Sequence, residues 1–138
     1  MPCQIPLSDQ QTVARRAELL PCAADTALLK AVYANGEPIA AVARLRAEKP
    51  GRTNRRVAAL TRRLLSREFE FVLRHRESLP GHRRQIATIC FVQGRSMRAA
   101  ARELGISFYS VRRHCDAIRA LMDGQRETRG GSGSAGAA

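Results

Sequence analysis

Slid along itself by 58 positions, the chain matches from Leu28–Arg44 to Ile86–Arg102 without a gap. Such a repeat constrains the fold more than composition does, because each copy must form one supersecondary unit. Gly36/Gly94, Ala41/Ala99, Ala43/Ala101 and Arg44/Arg102 are identical, and most other pairs keep their apolar character. Each copy reads as a helix, an Asn-Gly or Gln-Gly stop, and a second helix. The alternation of half-buried strands is missing, so an all-α fold is expected.

The second copy is the more regular. A helix over about 83–92 stops at Gln93-Gly94, and Ser96 caps a short helix through Leu104. Gly105 suits a left-handed turn. Ser107 then caps a third helix to about Met122, with Val111, Cys115, Ile118 and Met122 on one face at steps of 4, 3 and 4. Ala101 is small enough for the two helices to approach closely, and Val111 packs back across the turn. This is the order of a helix-turn-helix. Ala100-Ala101-Arg102-Glu103-Leu104-Gly105-Ile106-Ser107, followed by Ser110-Val111-Arg112-Arg113-His114, resembles sigma-70 region 4 and response-regulator output domains over about Arg83–Met122. The resemblance implies double-stranded DNA as partner, RNA polymerase as a further one, and transcription regulation as the role.

The first copy departs from this pattern. Ala43 takes the small position, but Ala47 stands in place of the glycine and Arg46 in place of an apolar residue. The turn reads as four residues longer, through Glu48-Lys49-Pro50-Gly51-Arg52. Thr53 or Asn54 then caps a third helix that carries Val57, Leu60, Leu64 and Leu65 inward. The unit is a degenerate helix-turn-helix or a winged variant without its wing. Ser8 and Gln11 form a capping box for an extra N-terminal helix, and Asp25 is the N-cap of the next. Ser66–His75 reads as a linking helix with Phe69, Val72 and Leu73 inward, His75 serving as a favourable charge at its C-terminus. The expected organisation is an N-terminal helix and connector (1–24), a first unit with the linking helix (25–79), a second unit (80–123) and a disordered Gly/Ser/Ala-rich tail (124–138).

Charge carries the functional reading. The chain holds 24 Lys+Arg against 12 Asp+Glu, a net charge of +12. Residues 1–24 are neutral, whereas the basic excess falls on the turns and third helices of both copies, where a helix-turn-helix meets phosphates and bases. Arg112 and Arg113 are the first candidates for base edges, since an Arg fork matches guanine O6/N7. Ser107 and Tyr109 suit phosphates, and Phe108 suits a thymine methyl or local packing. In the first copy Arg52, Asn54, Arg55, Arg56, Arg62 and Arg63 are the analogous candidates. Aromatics are 4% of the chain, too few for the stacking platforms of single-stranded RNA readers.

No nucleophile flanked by catalytic arginines and no acidic triad stands out, so an enzyme, a cofactor and a metal are not expected. Cys3, Cys22, Cys90 and Cys115 lack metal-ligand spacing and read as reduced thiols. No run is apolar enough to span a membrane, and the expected setting is cytoplasmic and nucleoid-associated. Alternative readings are a protein–protein interaction module or the DNA-binding part of a recombinase or transposase system. The oligomeric state is left open.

Overall fold

The structure is a computed structural model that describes residues 5–135, with side chains described as far as Arg126. It is all-α, and no strand forms among the described residues. Helix α1 (Leu7–Arg16) runs into a 3-10 turn at Ala17–Leu19, and α2 (Ala23–Leu29) widens into a π-helical turn at Lys30–Ala34. Then come α3 (Ile39–Leu45) and α4 (Pro50–Leu64). The order repeats: α5 (Arg67–His75) with a 3-10 turn at Arg76–Ser78, α6 (Gly81–Ala87) with a π-helical turn at Thr88–Val92, α7 (Met97–Leu104) and α8 (Phe108–Ala135). The chain divides into two compact units that meet between Glu70 and Phe71, inside α5, where the sequence reading put the boundary between 79 and 80.

The repeat is a repeat of backbone geometry. After each π-helical turn a glycine takes positive φ, +67° at Gly36 and +69° at Gly94. The same two hydrogen bonds close both turns: Asn35 N–H to Lys30 O (2.9 Å) and Glu37 N–H to Ala31 O (2.9 Å), against Gln93 N–H to Thr88 O (2.9 Å) and Arg95 N–H to Ile89 O (3.0 Å). The correspondence also extends upstream of the sequence match. The 3-10 turn Ala17–Leu19 falls on Arg76–Ser78 at a shift of 59, with buried Val13 and Leu20 at the positions of buried Val72 and Leu79. One extra residue before α2 accounts for the change of register. The N-terminal helix and the linking helix are therefore equivalent elements, which the change of register by one residue conceals.

The correspondence also runs on through the turn, which corrects the reading of the first copy. Its turn is not longer: α4 starts at Pro50 and α8 at Phe108, again 58 apart. Ala47 adopts φ +54° where Gly105 has +66°. Glu48 N–H bonds Ala43 O at 2.9 Å, as Ile106 N–H bonds Ala101 O at 3.1 Å. Lys49 is the N-cap of α4 and Pro50 its first residue, a position where the missing N–H costs nothing. Thr53 and Asn54 consequently lie inside the helix rather than capping it. The left-handed region costs a residue with a Cβ about 1–2 kcal/mol. Ala47→Gly is expected to raise the unfolding free energy measured in urea by up to about 1 kcal/mol through relief of that strain, the freed chain entropy opposing the gain. Gly105→Ala should lose about 1–2 kcal/mol, although open space surrounds the site.

Other caps divide between expectation and correction. Ser96 accepts the Ala99 N–H at 3.0 Å and caps α7 as expected. The Ser8–Gln11 capping box does not form, because Pro6 is the N-cap and its carbonyl already takes the Asp9 and Gln10 N–H groups. Cys22, not Asp25, is the N-cap of α2. The third helix of the second unit does not end at about Met122: α8 runs on through Gly124 to Ala135, so the tail expected to be disordered from 124 is helical that far. No proline follows, and Gly124 has no positive φ. Residues 136–138 of the expected tail, and Cys3, lie outside the described residues.

Each unit closes on an aliphatic core, where burying one such side chain contributes about 1.5–3 kcal/mol. Val57, Leu60 and Leu64 are buried on α4, and Leu65 only half-buried; Cys115, Ile118 and Met122 are buried at the matching positions on α8, and Val111 one turn earlier, at the position of buried Thr53. Phe69 in the first unit and Val72 in the second are fully buried, whereas Leu73 is half-buried. Cys90 and Cys115 stand where the first unit has Val32 and Val57, and both are free thiols.

Candidate nucleic-acid interface

The second unit presents its turn and the first two turns of α8 to solvent. The Ser107 hydroxyl accepts the Ser110 N–H at 3.1 Å and lies 3.0 Å from the Ser110 hydroxyl, so it caps the helix before it serves any ligand. The Arg98 guanidinium stacks 5.4 Å from the Phe108 ring centroid, which ties this aromatic to α7. Tyr109 stands out, 68% exposed. Arg112 and Arg113 are exposed, and neither forms an ion pair with a described residue. The nearby carboxylates are engaged elsewhere: Asp116 faces Arg119 at 4.0 Å, and Glu103 pairs with Arg95.

His114 senses this unbalanced field. Burial, then Arg83, His82 and Arg113, hold its imidazole below the ordinary histidine value of 6.5. Because the unfolded chain takes up the proton first, stability is full above that value and declines as pH falls below it. A pH series of urea midpoints should show this decline, and His114→Gln should flatten it.

In the first unit the candidates separate. Arg52, Arg55 and Arg62 are exposed. Arg56 is committed: its Nε donates to Asp25 Oδ1 at 3.1 Å and its terminal nitrogen to Oδ2 at 2.6 Å, clamping α4 to α2. Arg63 is half-buried with its Nε unpartnered, and burial pulls its guanidinium below the ordinary value. Asn54 is half-buried, and its Oδ1 is buried without a partner. The equivalents of Arg112 and Arg113 in this unit are Asn54 and Arg55; Arg62 and Arg63 occupy the positions of Ala120 and Leu121, further along the helix. Arg56 matches His114, and Asp25 matches Arg83, whose Nε donates to His114 Nδ1 at 3.4 Å. The same helix pair is bridged in both units by different chemistry.

A polar cluster missed at the sequence level explains how the irregular turn closes. Arg46, Glu48 and Thr53 occupy the positions of Leu104, Ile106 and Val111. The Thr53 hydroxyl donates to Glu48 Oε2 at 2.9 Å, and Arg46 donates to Glu48 Oε1 at 3.4 Å. Thr53, first, and Arg46 hold the Glu48 carboxyl below its ordinary value. Three apolar contacts have become one hydrogen-bonded set. Extending the 58-residue shift past Arg44 would have exposed the exchange.

Comparison with protein-family models, with characterised proteins and with solved structures finds no match. Among the described residues no helix is long and apolar enough to cross a membrane, and no three His, Cys, Asp or Glu side chains converge as metal ligands.

Proposed function

We propose that this chain is a duplex-DNA-binding transcription regulator with two helix-turn-helix units, and that α8 reads bases through Arg112 and Arg113. The observation that carries the reading is this exposed pair of arginines, with no carboxylate partner among the described residues, on the first turns of a helix entered through a tight turn. Arg forks in that position match guanine edges, while Ser107 and Tyr109 suit neighbouring phosphates. Phe108 suits packing against Arg98 better than a thymine methyl. In the first unit Arg52, Arg55 and Arg62 suit the backbone. The resemblance to sigma-70 region 4 extends the proposal to RNA polymerase as a second partner, in a cytoplasmic, nucleoid-associated setting.

The test is a salt titration of binding to duplex DNA, single-stranded DNA and RNA. Neutralising six phosphates on duplex should give a log–log slope near −0.9 per phosphate, or about −5. Duplex should be preferred. Salt-independent binding, or none at low salt, would replace this reading with a protein–protein interaction module.

A further inference from the structure

We propose that the first unit carries a phosphate-binding groove between the end of α3, the turn and α4. A cavity of about 410 Å³ lies there, lined by Arg46, Glu48, Arg52, Arg55, Arg56 and Ala59. Four guanidiniums face one carboxylate, and the pairing is uneven. Arg56 is satisfied by Asp25, and Arg46 by Glu48 and the Ala24 carbonyl at 3.1 Å, its Nε being buried without a partner. Arg52 and Arg55, one turn apart on α4, are exposed and form no ion pair with a described residue. Side chains three apart share a helix face, so two Arg forks outside any ion pair with a described residue border one cavity. The charge of Arg52 helps Thr53 and Arg46 hold down the Glu48 carboxyl.

That donor set matches phosphate better than carboxylate. A phosphate group offers three strong acceptor oxygens and a charge near −2, enough to engage two forks at once. The groove is not a by-product of the fold. At the equivalent positions the second unit has Leu104, Ile106, Ser110, Arg113, His114 and Ala117, with one arginine in place of four. The duplicated units have thus diverged, one toward gripping phosphate. The phosphate has two sources, the DNA backbone or a free phosphorylated small molecule. Only the first rests on the DNA-binding reading.

The full chain, at fixed ionic strength, is titrated with pyrophosphate while the Arg Nε–Hε resonances are followed by NMR. The Arg52 and Arg55 signals should move together along one saturating curve with a midpoint below about 1 mM. Arg52→Ser, which installs the second unit's residue, should weaken binding at least about tenfold at unchanged melting temperature. Arg55→Lys keeps the charge but loses the fork, and should weaken it several-fold. Arg126→Ala should not move the curve. If added duplex displaces pyrophosphate, the natural source is the backbone; if the affinity is untouched by duplex, it is a free phosphorylated molecule. Shifts that never saturate, that spread evenly over all exposed arginines, or that survive Arg52→Ser overturn the site. The titration contains no DNA, so failure of the chain to bind duplex leaves its result standing.

Discussion

Exchanging Arg112 or Arg113 for alanine is expected to weaken binding to the preferred duplex by about 1–3 kcal/mol each, or roughly 5- to 150-fold. Both side chains are exposed and form no ion pair with a described residue, so their removal creates no cavity and leaves no buried group unsatisfied. Stability should therefore hold within about 0.5 kcal/mol while affinity falls. The arginines are adjacent, and the double variant will not follow simple additivity. The diagnostic feature is the pattern of loss. Arg112→Ala and Arg113→Ala should flatten the sequence preference at defined base positions. Arg55→Ala and Arg62→Ala in the first unit should weaken all duplexes alike and reduce the salt slope by about one each. Affinity measured across a panel of duplexes distinguishes the two. Loss of a protein partner with DNA binding intact would place these arginines at a different surface.

The largest effect on stability is expected at Asp25. Asp25 is 7% exposed, and its carboxylate receives two bonds from Arg56, which joins α2 to α4. Breaking a buried pair costs about 3–5 kcal/mol, but Arg56 is half-exposed and water screens part of the loss. Asp25→Ala should therefore cost about 2–3 kcal/mol in urea unfolding. Part of this is repulsion: Asp25 opposes the effect of Arg56 on Arg63, and without it the two guanidiniums face each other uncompensated. Arg56→Ala strands the carboxylate instead, and should be comparably costly. The double variant removes both unmatched groups and should be more stable than the sum of the single losses implies. Strict additivity would mean that the bridge contributes no coupling.

Much of the architecture was legible before any coordinates. The repeat, the helical class, the Gly94 and Gly105 stops, the Ser96 cap and the buried stripe of Val111, Cys115, Ile118 and Met122 depend on rules that act on one residue or one helical period. A glycine required at positive φ, or an apolar residue every third or fourth place, declares itself locally. The equivalence of α1 and α5 was hidden by register: Val13/Val72, Arg15/Arg74, Glu18/Glu77 and Leu20/Leu79 are identical, but only at a shift of 59, one more than the shift that aligns the rest of the repeat.

What tertiary structure alone decided is the irregular turn and the availability of the arginines. Ala47 breaks the glycine rule, yet keeps the conformation because the Glu48 N–H bond to Ala43 and the contacts around it outweigh the local strain. Arg46, Glu48 and Thr53 look wrong for a core one at a time. They become compatible only as a set whose members satisfy one another across the turn. The same holds for Arg55 and Arg56, neighbours of identical composition, one open to solvent and the other bound to Asp25 on another helix. Helical periodicity tells which way a side chain points. Whether its charge is free depends on a partner 31 residues away in sequence, and only the packed structure brings that partner within bonding distance.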